Sequence, residues 1–271
     1  MNFVILLSLF FFHFAFAFIP PSSMILSRVA ENAGAGTYQI EQELTFESAE
    51  APLVIKEIWT IESESLMRVS VRGTKELDGK ISFEILYAGG LRWSAKNGDR
   101  NSSSIPPELF EKLFLSRTVE NLGNFMSAYK VAPSQFWNQK TKNAPEAYIR
   151  LSRCLEFICW AFGEPTKENI DAKSPQFWIE QDQFVFRKIT TPKNAELTIE
   201  QYGSYPKGLK FPKTRSLQWG TNIVNIQTLQ VGIKTGKTDL QPAQLKTQSI
   251  FDLSSDNLTH KAIIEFYSRF R

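Results

Sequence analysis

The sequence is poor in the residues on which most hydrolytic and metal sites depend. It contains two histidines and two cysteines among 271 residues. His13 lies in the apolar N-terminal segment, which leaves His260 as the one histidine for a catalytic site in the rest of the chain. No G-x-S-x-G sequence accompanies it, and no metal-ligand spacing joins it to the cysteines. We therefore predict a protein that is not an enzyme and has no cofactor or metal, with His260 as a solvent-facing residue.

The sequence also lacks a block of charge of one sign. It has 31 basic and 28 acidic residues and a formal net charge of +3. Nucleic-acid binding usually requires a concentrated basic surface, so this balance argues against a nucleic-acid partner. What the chain has in quantity is apolar and aromatic material: 42% of its residues are hydrophobic and 22 are phenylalanine. That composition is sufficient for a large core.

The two cysteines, Cys154 and Cys159, lie five residues apart. In one straight strand the two side chains would be roughly 16 Å apart, which is beyond the reach of a disulfide. If residues 155–157 form a turn between two short strands, the pair could close a small loop. A possible disulfide and two buried thiols both fit the spacing.

The first 17 residues resemble a secretory signal peptide. A nearly unbroken apolar run over residues 3–12 is followed by Ala15-Phe16-Ala17, a small-residue cleavage pattern. We predict cleavage after Ala17 and export of the mature chain. The alternative is an uncleaved anchor, although residues 3–19 form a marginal span beside the roughly 20 apolar residues that cross a bilayer.

The apolar periodicity of the remaining chain predicts one domain over residues 22–271. A helix is predicted from residue 22, and the period changes to two at Thr37. Strands follow at 54–61, 66–72, 80–87 and 91–95, and residues 96–104 are interpreted as a polar loop. The short spacing of these strands favours an antiparallel meander.

The second half of the domain opens with a helical insertion at about 105–129. Residues 130–147 are interpreted as a linker loop, and strand patterns resume at about 148. A C-terminal helix is predicted at about 257–270. The predicted fold class is α+β: a large, strongly curved antiparallel sheet, too wide to stay flat, with helices over its mouth.

Residues 202–220, YGSYPKGLKFPKTRSLQWG, place Pro206 and Pro212 shortly before an alternating strand. Proline donates no hydrogen bond to a strand ladder, so both are predicted to lie in the turn that leads into the strand. This pattern, aromatic-Pro-x-Gly-x-x-aromatic-Pro followed by a strand and Trp219-Gly220, resembles the second half of the outer-membrane lipoprotein-sorting proteins. Their relatives include LolA, LolB and RseB. Residues 175–189, PQFWIEQDQFVFRKI, resemble the same family.

The resemblance implies a half-open β-barrel whose apolar cavity takes up acyl chains without catalysis. The implied partners are lipoprotein acyl chains or lipids, with membrane-associated donor and acceptor proteins. The expected function is a periplasmic carrier or chaperone that transfers such chains to the outer membrane. The residues expected to line the cavity are Tyr38, Ile40, Leu44, Phe46, Trp59, Met67, Val69, Ile81, Phe83 and Ile85. The residues expected to form a lid are Leu113, Phe114, Phe125 and Met126.

Two features leave alternatives open. The family's carrier has an arginine after its second strand that ties the lid shut, whereas the first basic residue after Trp59 here is Arg68. Either Arg68 replaces that arginine or release works differently. The same scaffold could also be a sensor or a protein-interaction module. In that case Phe266, Tyr267 and Phe270 of the C-terminal helix are the predicted contact surface.

Overall fold

The computed structural model describes residues 19–47, 51–96, 98–132, 148–164, 174–238, 240–246 and 248–271. The predicted signal peptide, its cleavage site after Ala17 and most of the predicted linker loop lie outside these residues. Within them, no helix has the length and apolar character needed to cross a membrane.

Four α-helices are present in this part of the chain. Two of them begin at a side-chain cap: Thr118 accepts a hydrogen bond from the main-chain NH of Asn121, and Asn257 accepts one from His260. The helices are α1 (Ser22–Glu31), α2 (Glu111–Phe114), α3 (Val119–Ala128) and α4 (Leu258–Arg269). The predicted initial helix, the helical insertion and the C-terminal helix are thus all present.

Fourteen strands of the described residues form one antiparallel sheet. The first six are β1 (Tyr38–Phe46), β2 (Leu53–Ser63), β3 (Leu66–Gly73), β4 (Ile81–Ala88), β5 (Leu91–Lys96) and β6 (Asp99–Ser104). The others are β7 (Ile149–Cys154), β8 (Phe157–Phe162), β9 (Gln176–Glu180), β10 (Phe186–Thr190), β11 (Ala195–Tyr205), β12 (Leu209–Trp219), β13 (Asn222–Ile233) and β14 (Ile250–Phe251).

The strand order makes a long meander with two non-sequential pairings, β1 with β13 and β14 with β4. It runs β6-β5-β4-β3-β2-β1-β13-β12-β11-β10-β9-β8-β7, and β14 pairs with the start of β4. The pairing of β1 with β13 joins the two halves of the chain. Among the described strands β6 and β7 end the sheet without pairing to each other, so the barrel is open. The predicted fold class is therefore confirmed.

Alternating side chains explain which face of the sheet is buried. In β1 the positions of Tyr38, Ile40, Leu44 and Phe46 are buried, and their neighbours are more exposed. The same alternation in β2 and β3 gives one buried concave face. The helices lie over this face and complete one continuous apolar core.

Two local predictions were wrong. Residues 96–104 were expected to form a loop, but Asp99–Ser104 is the edge strand β6 and pairs with β5. All six of its residues are exposed, so no apolar alternation marks the strand in the sequence. Pro212 lies inside β12 rather than before it. It is tolerated there because the pairing of β12 with β13 begins only at Thr214.

Candidate functional site

The middle of the concave face is occupied by α4. Its residues Ile263 and Phe266, together with Phe270 just after the helix, are completely buried. The ring of Phe266 meets Phe46 of β1 edge-on at 5.4 Å, and the ring of Phe270 meets Trp219 of β12 at 5.2 Å. The helix thus packs against both halves of the sheet and fills the space in which the predicted cavity would open.

The residues predicted to line a cavity lie in the interior that α4 covers. All except Phe83 are fully buried members of the central core, namely Tyr38, Ile40, Leu44, Phe46, Trp59, Met67, Val69, Ile81 and Ile85. Phe83 is partly buried at the margin of this core. The assignment of these residues to a ligand site stays a prediction.

The predicted lid residues are also packed. Leu113 and Phe114 of α2 and Met126 of α3 are buried, and Phe125 is partly buried. The Phe114 ring lies edge-on to Phe211 of β12 at 5.7 Å. The helical insertion is therefore seated on the second half of the sheet.

A buried ion network fastens α2 and the end of the chain to the sheet. Arg215 of β12 donates to Glu111 of α2 at 2.5 Å and to Gln42 of β1 at 3.0 Å. Arg271 donates to Glu111 at 2.8 Å and to Glu57 of β2 at 2.9 Å. Glu111 therefore bridges two arginines, and five separate parts of the chain, namely β1, β2, α2, β12 and the C-terminal end, meet in this buried ion network.

The network is balanced in charge and shielded from water. Glu57 is 0% exposed and Arg271 is 1% exposed. Burial lowers the pKa of Arg271, but the charges of Glu111 and Glu57 outweigh it and hold the pKa above its usual value. Burial lowers the pKa of Arg215, and Glu111 only partly offsets this effect. Both arginines stay protonated at neutral pH because the guanidinium pKa is so high.

These polar residues were missed by the sequence analysis, although the sequence carries a signal for them. Gln42 lies between Ile40 and Leu44 on the inward-facing positions of β1, and Glu57 lies two residues before Trp59 in β2. A polar side chain in an inward series breaks the apolar alternation and must find a partner. The alternation itself therefore predicts that Gln42 and Glu57 face inward.

Arg68 lies away from this network. It is on the face of β3 opposite to Met67 and Val69, where it pairs with Glu84 at 2.6 Å. Arg215, from the second half of the sheet, rather than Arg68, pairs with Glu111 of the helical insertion.

An open cavity lies beside α4, between the helix and the first half of the sheet. Its volume is about 560 Å³, within the range of roughly 300–1,000 Å³ typical of small-molecule sites. We call it the rim cavity. Its lining residues are Phe83, Glu84, Arg92, Ser94, Ala95, Ser103, Ser104, Pro106, Ser249, Phe251, Ile264, Tyr267 and Ser268.

One end of the rim cavity is aromatic. Phe83 of β4 meets Tyr267 of α4 edge-on at 5.1 Å and Phe251 of β14 at 5.3 Å. Phe251 and Tyr267 are 6.2 Å apart, so the three rings form a mutual cluster. Phe83 is the one predicted cavity residue that lines this open space.

The structure also places the two cysteines, His260 and the aromatic residues near the end of the chain. Cys154 at the end of β7 and Cys159 in β8 are both buried and are not bonded to each other here, and the choice between a disulfide and two thiols stays a prediction. His260 is half-buried in the first turn of α4 rather than solvent-facing. Phe266, Tyr267 and Phe270 are buried, so the prediction that they form a contact surface is wrong.

No protein-family profile matches the sequence, and no curated protein matches it significantly. Solved structures do match. A LolA superfamily protein from Nitrosomonas europaea superposes with a TM-score of 0.50 and 8% identity, over 81% of this chain and 96% of that one. A domain from Vibrio parahaemolyticus named for outer-membrane lipoprotein sorting gives 0.49 and 13% identity, over 81% and 94%. A DUF1329 family protein from Desulfovibrio piger gives 0.49 and 9% identity, over 84% and 100%.

At these identities the likeness is one of fold. The Nitrosomonas europaea superposition extends over most of both chains. The resemblance that the sequence suggested is therefore confirmed at the level of the half-open barrel.

Proposed function

We propose that this chain, which has the fold of the LolA superfamily, binds the acyl chain of a lipid or lipoprotein in the rim cavity. The observation that carries the proposal is the cluster of Phe83, Phe251 and Tyr267 on the wall of an open cavity of about 560 Å³. Transfer of a methylene group from water to such a wall contributes about 0.8 kcal/mol. A few buried methylenes are therefore enough for measurable binding.

The position of the rim cavity supports this choice over the central interior. A ligand in the middle of the concave face would have to displace α4 and with it Arg271. Glu57 and Glu111 would then lose a buried partner, and breaking such a pair costs about 3–5 kcal/mol. A ligand in the rim cavity leaves the buried ion network intact.

In the cell, the proposed role is that of a periplasmic carrier or chaperone. It would shield an acyl chain between a membrane-associated donor and an acceptor and deliver it to the outer membrane. The export expected from residues 1–17 and the fold of the lipoprotein-sorting proteins support this role. The central residues from Tyr38 to Ile85 that were expected to touch the ligand would then support the rim cavity from behind, with Phe83 as the contact residue.

The first experiment is native mass spectrometry of the protein purified gently from a periplasmic extract. We expect a bound acylated species that is released on denaturation. The protein stripped of ligand is then titrated with a fluorescent fatty acid.

A variant that fills the cavity provides the sharper test. Ser94 lines the rim cavity from β5, and Ser94→Trp occupies the space without removing any apolar packing. We expect it to abolish uptake of the fluorescent fatty acid. Ile58→Trp, at an exposed position on β2, is the matched control and should bind like the wild type. Uptake that survives in a folded Ser94→Trp protein would contradict the assignment of the ligand to this cavity.

One observation favours a second candidate function, a protein-interaction module. At the β7 end of the sheet, Leu155 is 54% exposed and Ile158 is 53% exposed. An edge strand beside exposed apolar residues is suited to pairing with an extended segment of another protein. Under this alternative, Ile158→Lys should abolish capture of a partner that wild type and Ile58→Lys both retain. If all three proteins capture the same partner, this edge is not its binding site.

A further inference from the structure

We propose that the rim cavity selects an amphiphile with an anionic head group, a carboxylate or a phosphate, and that Arg92 binds this group. The inference rests on the proposed function, because it assigns a ligand class to the same cavity.

The rim cavity has an aromatic end and a polar end, and the register of its strands gives the distance between them. The aromatic cluster includes Phe83, near the start of β4. Arg92 of β5 pairs with Tyr87, four residues farther along β4, which is about 13 Å at the usual rise per strand residue. An acyl chain that lies against Phe83 can therefore place its head group beside Arg92.

The polar end presents hydrogen-bond donors. Ser103 of β6 pairs directly with Arg92, and Ser94 lies two residues from Arg92 on the same face of β5. All three residues line the rim cavity. A guanidinium with one hydroxyl residue opposite it on the next strand and another two residues along its own strand suits the oxygen atoms of a carboxylate or phosphate.

The charges around the cavity favour an anion. The one carboxylate in its lining, Glu84, is already bound by Arg68 at 2.6 Å and also faces Lys246 at 3.8 Å. Arg92 uses its Nε to donate to the main-chain oxygen of Arg271 at 2.9 Å. Within the described residues its two terminal nitrogens have no hydrogen-bond or ion-pair partner, so they are available to a ligand.

The contact with Arg271 fixes the guanidinium in place. Because Nε is held at the end of α4, the side chain does not have to be ordered when a head group arrives, and less conformational entropy is lost on binding. The same contact ties the head-group end of the cavity to the last residue of the buried ion network.

The test uses three probes with the same saturated chain of sixteen carbons: palmitate, hexadecyl phosphate and 1-hexadecanol. Each displaces a fluorescent fatty acid from the wild-type protein. We expect both anions to bind about tenfold or more tightly than the alcohol, the ratio that one charge-assisted hydrogen bond supplies. A preference for the phosphate over the carboxylate, or the reverse, distinguishes the two head groups.

Arg92→Gln should reduce the affinity for both anions to the level of the alcohol, whereas Arg92→Lys should restore part of the preference. Arg72→Gln, at an exposed position on β3, is the control and should leave all three affinities unchanged. Thermal melting of each variant shows whether the contact with Arg271 matters for folding.

The binding data distinguish failure of the head-group assignment from failure of acyl-chain binding. If the three probes bind the wild type equally, the anionic head group is refuted and acyl-chain binding stands. If Arg92→Gln weakens all three probes equally, Arg92 has a structural role only and the inference fails. If no probe displaces the fluorescent fatty acid, or that fatty acid itself does not bind, the proposed function fails with it.

Discussion

The two sides of α4 differ in their burial and in what they contact. The side that carries Phe266 is sealed: it packs on aromatic rings from both halves of the sheet and ends at the buried ion network. The side that carries Ile264 and Ser268 borders the open rim cavity. One helix therefore serves as core on one side and as a wall of a binding site on the other. Stability and binding should respond to different residues of the same helix.

Deletion of residues 257–271 removes both sides of α4, and we expect it to have the largest effect. The deletion exposes the concave apolar face and leaves Glu57 and Glu111 without Arg271. We expect a loss comparable with the whole stability of a typical domain, about 5–15 kcal/mol. Loss of the cooperative unfolding transition, measured by circular dichroism, checks this. A truncated protein that unfolds cooperatively and binds fatty acid would show that α4 is dispensable for both properties.

Glu57→Gln tests the sealed side alone. The substitution removes the charge that Arg271 faces at 2.9 Å in a water-free site, so we expect a destabilisation of about 3–5 kcal/mol. Glu41→Gln is the control, because Glu41 faces Lys56 at 3.8 Å in a more exposed pair and should lose less than about 1 kcal/mol. Urea unfolding of both variants measures the difference. Equal effects would mean that the buried ion network does not secure α4.

Alkaline pH tests the burial of the phenols of Tyr87 and Tyr267. Burial raises the pKa of both phenols above the usual value, so the folded state keeps them neutral. Their contribution to stability is complete below the unfolded pKa of about 10 and decreases as the pH rises above it. At pH 11 each phenol that stays neutral lowers the free energy of unfolding by about 1.4 kcal/mol. Phenolate absorbance and unfolding should therefore change together, whereas ionisation of both phenols in the folded protein would contradict their burial.

The sequence predicted the fold better than the site, and particular residues show why. The alternation of Tyr38, Ile40, Leu44 and Phe46 follows from burial of one strand face, and this period can be recognised without coordinates. The length of α4 could also be predicted, because Asn257 caps an amphipathic pattern. These features are local.

The rim cavity and the buried ion network are not local. Glu57 and Arg271 are 214 residues apart in the chain, and neither strand nor helix periodicity indicates that they meet. The packing of α4 on the concave face decides which predicted cavity residues are covered, and only Phe83 among them reaches open space. A sequence pattern shows which side chains face inward but not what fills the space between them.

The smallest effect on stability is expected for Ile264→Ala, on the open side of α4. Ile264 is half-buried and lines the rim cavity, so the loss should be about 1 kcal/mol or less. Phe266→Ala, two residues away on the sealed side, should lose about 3–5 kcal/mol. Binding should show the reverse order, because Ile264→Ala removes part of the acyl-chain wall and Phe266→Ala leaves that wall in place. Unfolding curves and fatty-acid titrations of the two variants measure both orders. If Phe266→Ala weakens binding in a folded protein while Ile264→Ala does not, the ligand lies on the sealed side.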